Sequence, residues 1–223
     1  MSTLFLVMEI IGTVAFTISG VMEGVRHDMD LFGVMMLGLT TAVGGGVIRD
    51  TIIGNTPPAA FVHPYCTIIS LVVAAGFFLI LYYMGTPVSS KLKRWMDAFL
   101  LCADTVGLAA FTVLGIESTT RFQAAPKDAV LLFVGVITGI GGGILRDVLA
   151  GSVPFVFRKH VYALASILGA VTMILLMRFV TQEIAAITGF SVVVLIRTLA
   201  AVFRWNLPRI QKVKQTVDAN AAQ

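Results

Sequence analysis

TAVGGGVIRDTIIGNTP (residues 41–57) closes a long apolar run, and TGIGGGILRDVLAGSVP (residues 138–154) repeats it 97 positions later. Each glycine inside a helix costs about 0.8–1 kcal/mol relative to alanine. An Arg-Asp pair is costly beside lipid. A chain that places both features twice, at matched spacing, has a duplicated fold. The same offset brings Gly54 onto Gly151, Pro57 onto Pro154, His63 onto His160 and Tyr65 onto Tyr162. At an offset of 95, Glu9, Gly12, Phe16, Thr17 and Gly20 fall on Asp104, Gly107, Phe111, Thr112 and Gly115. The change of offset places a two-residue insertion between these blocks.

The solvent for this fold follows from composition. Of 223 residues, 57% are hydrophobic and 13% charged, against about 25% charged in ordinary soluble domains. One soluble core cannot hide that much apolar surface, whereas a bilayer solvates it. Seven apolar segments appear, at residues 4–22, 31–53, 65–84, 98–116, 129–150, 161–177 and 184–203. Most approach the ~20 residues a span requires, and the sixth is short. Residues 1–90 hold the first three-helix repeat and 91–180 the second. Residues 181–207 add a seventh span, and 208–223 read as a polar, partly disordered cytoplasmic tail. Three spans per repeat is odd, so the second copy enters the membrane from the opposite face. The fold class is an all-α membrane protein with two inverted three-helix repeats and a seventh helix.

The net charge of +4 does not point to nucleic acid, because the basic residues sit in short loops and the tail. Arg26, Lys91, Lys93, Arg94, Arg158, Lys159, Arg204, Arg209, Lys212 and Lys214 share one side. Arg121, Lys127 and Arg178 share the other. The positive-inside rule makes the first side cytoplasmic, with the N-terminus outside and the C-terminus inside. Cys66 and Cys102 lie within apolar runs, so no disulfide framework is expected. The N-terminus lacks the basic region and cleavage site of a signal peptide, so the first span is expected to stay.

Glycine triplets in a membrane helix have two readings. Gly44, Gly45 and Gly46, with Gly141, Gly142 and Gly143, either let helices pack closely or interrupt the helix where it lines a cavity. Their symmetric pairing favours kinks at a pore or binding site. Arg49 with Asp50, and Arg146 with Asp147, read either as ion pairs and snorkelling groups or as a charge gate. Glu9 and Asp104 head equivalent small-residue faces. Each reads as a cation attractor or as the partner of an arginine. Thr17, Ser19, Thr40, Thr41, Thr112 and Thr138 could offer neutral oxygens to a path, or simply bond their own backbone. His63 and His160 start the third and sixth spans as interfacial residues. No phosphate loop, HExxH, nucleophile elbow or metal-spaced Cys/His cluster occurs. No enzyme activity, cofactor or metal is expected.

Doubled GGGVIRD and GGGILRD, each late in the second helix of a three-helix repeat, with a seventh helix added, resemble the prokaryotic trimeric intracellular cation channel family. The same sequences are also described as a glycine-transporter domain. The resemblance spans residues 4–203. It implies a homotrimer with an hourglass-shaped pore in each protomer. It also implies that glycine kinks in the second and fifth helices shape that pore, and that monovalent cations, chiefly potassium, permeate. Animal members carry a lysine motif near the kink for phosphoinositide gating. Here the triplets lead into Ile-Arg-Asp and Leu-Arg-Asp, so that gating does not transfer. The resemblance implies a prokaryotic plasma membrane and contact with its lipid. The alternative is a secondary carrier for a small zwitterion such as glycine. Inverted repeats with broken helices suit a carrier equally. A scaffold would need neither the doubled glycines nor the charges.

Overall fold

The computed structural model describes residues 2–84, 90–123, 126–158, 161–203 and 205. Lys159, His160, Arg204, Arg209, Lys212, Lys214 and the tail 208–223 lie outside the described residues.

The chain runs α1 (Thr3–Arg26), α2 (Leu31–Ile53), α3 (Ala59–Val62), α4 (Tyr65–Met84), α5 (Ser90–Phe122), α6 (Asp128–Leu149), α7 (Phe155–Arg158), α8 (Val161–Leu176) and α9 (Gln182–Val202). Six of these are long and apolar enough to cross a membrane, and α8 is a shorter apolar helix. The 24 residues of α1 rise about 36 Å, more than the ~30 Å hydrocarbon core. The 16 residues of α8 rise only about 24 Å. Large apolar side chains such as Phe32, Ile68, Val72 and Leu195 lie on the outside, where lipid replaces a protein core.

The repeat is α1, α2 and short α3, then α4, answered by α5, α6 and short α7, then α8. Its two halves meet along matched surfaces. Phe16 and Phe111 are repeat counterparts, and their rings stack with centroids 5.2 Å apart. Gly107 leaves room for Phe16, and Gly12 lies against Phe111 and Ala110. α1 packs on α5, and α2 on α6. α9 packs on α5 and α8, the counterparts of α1 and α4. At that seam Gly169 and Gly189 face each other's carbonyls at 2.8 and 3.0 Å from an added Cβ. Among the described residues the first repeat has no helix corresponding to α9.

Both triplets lie inside continuous helices. α2 is helical from Leu31 to Ile53 and α6 from Asp128 to Leu149. The triplets mark where these helices cross. A Cβ on Gly45 would stand 2.3 Å from the Thr138 carbonyl oxygen, and one on Gly142 would stand 2.1 Å from that of Thr41. These contacts exchange under the repeat, so the two triplets face one another across its pseudo-two-fold axis. The turns come later, at Gly54 (φ 79°) and Gly151 (φ 69°), a left-handed conformation that suits glycine at helix ends.

Candidate functional site

Each Arg-Asp motif first serves its own chain reversal. Arg49 Nε donates to Asp50 Oδ1 at 2.8 Å, and Arg146 Nε to Asp147 Oδ1 at 2.9 Å. The second carboxylate oxygen receives a backbone N–H from the short helix that follows. That donor is Ala59 N for Asp50 at 2.8 Å and Phe155 N for Asp147 at 2.7 Å. Asn55 N and Ser152 N bond back to the carbonyls of Asp50 and Asp147, each at 2.8 Å. The doubled motif therefore fixes a doubled turn, and each aspartate also caps a helix N-terminus.

Beyond the turn the two halves diverge. In the second repeat Arg146 is 0% exposed. Its Nη1 donates to Asp104 Oδ1 at 2.8 Å and also to the Ser19 hydroxyl. Arg197 of α9 donates from Nη2 to Asp104 Oδ2 at 3.0 Å. The Arg197 guanidinium lies 4.6 Å over the Tyr162 ring, and that of Arg146 lies 5.2 Å over Phe155. Tyr162 O–H points at Asp104 Oδ1 from 3.5 Å. Two guanidinium groups and two carboxylates make this buried centre neutral. Removing one member leaves an uncompensated charge.

The first repeat holds the counterparts Glu9, Arg49, Asp50 and Tyr65 around a cavity of about 500 Å³. The cavity starts near His63, Arg121 and Phe122 at the ends of helices and reaches Ala42 and Phe111 in mid-bundle. Tyr65 O–H donates to Glu9 Oε2. Glu9 makes no ion pair among the described residues. Among the described residues Arg49 pairs with Asp50 alone. Arg121 lies 3.8 Å from buried Glu117.

The residues singled out from sequence separate accordingly. Glu9, Gly46, Arg49 and Asp50 line the cavity. Gly44, Gly45 and Gly141–Gly143 are buried in helix contacts. Asp104 takes the other reading, as the partner of arginines: its oxygens hold Arg146 and Arg197. Of the candidate pore hydroxyls, Thr17, Ser19, Thr41, Thr112 and Thr138 are buried and Thr40 is half-buried, and none lines the cavity. Thr41 bonds Leu37 O, Thr112 bonds Leu108 O and Thr138 bonds Val134 O, at 2.6–2.7 Å. Thr17 bonds Ser70 across helices at 2.8 Å, as Thr112 does Ser166. Ser19 accepts from Arg146. Of the two readings open in sequence, these contacts match the second, in which the hydroxyls bond the protein itself. His63 ends α3, ahead of the span it was expected to start. Arg197 was not among the residues singled out, though a lone arginine inside an apolar span is itself a signal.

A polytopic helical membrane protein with an inverted repeat, one charged centre sealed and the other open to a cavity, is the class that fold and site define. The chain belongs to the prokaryotic trimeric intracellular cation channel family. The family model, described as glycine transporter, matches twice, at residues 6–82 and 101–178, once per repeat. The inner membrane protein YadS of Escherichia coli K12 is 39% identical over 202 residues, covering 90% of this chain and 92% of that one. The membrane protein YvgT of Bacillus subtilis is 32% identical over 201 residues, covering 90% and 94%. Among solved structures, the trimeric intracellular cation channel orthologue from Rhodobacter sphaeroides superposes with a TM-score of 0.81 at 32% identity, covering 92% of this chain and 100% of that one. A prokaryotic TRIC channel in 0.5 M KCl gives 0.83 at 28% identity, covering 93% and 100%.

Proposed function

We propose that this protein is a potassium-permeable cation channel of a bacterial inner membrane, assembled as a homotrimer with one path in each protomer. The observation that carries this reading is the half-path. A cavity that carries Glu9, Arg49, Asp50 and Arg121 on an otherwise largely apolar lining enters from the end where α2 terminates and stops in mid-bundle beside the α2–α6 crossing. Continuing through the bundle leads to the neutral centre of Asp104, Arg146, Asp147 and Arg197. The arrangement is a conduction path closed at one end. The similarity to cation channels over nearly the whole chain supports it. Gly45 and Gly142 shape the path by letting α2 and α6 touch, and Gly46 leaves the cavity wall free of a side chain. With the N-terminus outside and the C-terminus cytoplasmic, the cavity faces outward and the sealed centre inward.

A second reading rests on the same asymmetry. Inverted repeats with one half open and one closed suit alternating access by a carrier. Arg49 and Glu9 on one wall suit the two ends of a zwitterion such as glycine. Planar-bilayer recording of the purified protein in a potassium chloride gradient separates the readings. Unitary currents reversing toward the potassium equilibrium potential support the channel. Silent bilayers, with saturable glycine exchange in liposomes, overturn it in favour of the carrier.

A further inference from the structure

The two repeats fill one position differently. In the second repeat a carboxylate and an aromatic ring grip a single guanidinium. Asp104 Oδ2 takes the Arg197 N–H at 3.0 Å, and the Tyr162 ring lies 4.6 Å beneath the same group. That guanidinium arrives on α9, which has no counterpart in the first repeat among the described residues. There the counterparts Glu9 and Tyr65 stand on the wall of a cavity of about 500 Å³, and no side-chain cation reaches Glu9 among the described residues. Tyr162 is 2% exposed under its cover, whereas uncovered Tyr65 is 37% exposed.

We propose that this cavity binds a small guanidinium cation, its charge on Glu9 and its plane against Tyr65, as the free equivalent of tethered Arg197. Carboxylate oxygens accept the paired N–H groups of a guanidinium, and a tyrosine face attracts its charge. The cavity volume falls within the ~300–1,000 Å³ of small-molecule sites. The charged side chains around Glu9 are paired with one another. Arg49 is paired with Asp50, and Arg121 lies beside Glu117, so among the described residues Glu9 is a carboxylate on the cavity wall without an ion-pair partner. The site goes beyond the channel reading, since binding requires no current.

Calorimetric titration of the full-length protein in detergent with methylguanidinium chloride tests it. The expected result is saturable binding, weakened about tenfold or more in Glu9→Gln by loss of the charge-assisted bonds and retained in Glu9→Asp. Tyr65→Phe keeps the ring and most of the affinity. Tyr65→Leu loses about three- to fivefold, the worth of an exposed cation–π contact. This pair carries the test if Glu9→Gln does not fold. Equal binding by wild type and Glu9→Gln, or equal loss in Tyr65→Phe and Tyr65→Leu, overturns the proposal. So does the absence of saturable heat. Displacement by equimolar potassium chloride would make the site one for alkali cations, and preferential binding of glycine would make it one for a zwitterion. Either would also overturn it.

Discussion

At the scale of residues, two arginines with the same local motif have different weights. Arg146 is fully buried and holds two carboxylates. Arg49 borders a cavity and holds one, Asp50, which keeps a backbone N–H when the arginine is lost. Arg146→Met should therefore cost about 3–5 kcal/mol by stranding buried charge. Arg49→Met should cost about 1–3 kcal/mol. Chemical unfolding in detergent micelles checks the order, and equal losses would mean that the two centres do not differ in burial. The Arg-Asp pairing was legible in sequence because its partners are adjacent. The hold of Asp104 on Arg197 was not, because 93 positions separate them and α9 has no repeat partner to align. Glu9 and Asp104 looked interchangeable in sequence. Their difference is made by a helix that covers only one.

At the scale of elements, the triplets belong to a helix crossing. Gly45→Ala and Gly142→Ala would each push Cβ into the facing backbone, at 2.3 and 2.1 Å, and backbone cannot rotate away. Overpacking of this kind costs about 1–3 kcal/mol. Gly46→Ala meets nothing closer than the Arg49 side chain at 3.6 Å. It should be neutral, or stabilising by up to about 1 kcal/mol from helix propensity. Melting curves of the three variants decide the matter. A destabilised Gly46→Ala beside an unaffected Gly45→Ala would reverse the assignment of packing and wall positions. A GGG run reads alike for a kink and for a close crossing, since both need small residues. Only the element opposite distinguishes them. Span ends were legible where hydropathy and capping coincide, as for α2, with Asp30 accepting Gly33 N–H at 2.7 Å and Gly54 at the end. α5 begins at Ser90, ahead of the apolar run expected from residue 98. Its first turns are rich in Lys and Arg, which favour helix without favouring lipid. α3 and α7, four residues each, are too short for any hydrophobic period to show.

At the scale of the molecule, an inverted repeat makes the two membrane faces formally equivalent, and α9 breaks that equivalence. The consequence can be read with thiols. Leu114, 2% exposed, lines the cavity, and shortening it to cysteine opens the wall there, whereas its counterpart Ser19 is 0% exposed and hydrogen-bonded to Arg146. In a background with Cys66→Ser and Cys102→Ser, Leu114→Cys should react with a charged methanethiosulfonate reagent added to one face of a proteoliposome. Ser19→Cys should react from neither face, or at least about tenfold more slowly, since labelling there requires a local opening. The reactive face should be the one carrying the N-terminus, because α1 begins beside the cavity. Equal labelling of both cysteines, each from its own face, would mean that water reaches both centres and that the Arg197 centre does not seal its half. Adding Arg197→Leu to Ser19→Cys then isolates the cause. Ser19→Cys should become reactive from the opposite face, because Asp104 would exchange a tethered cation for water. If it stays silent, helix packing closes that half and the arginine does not.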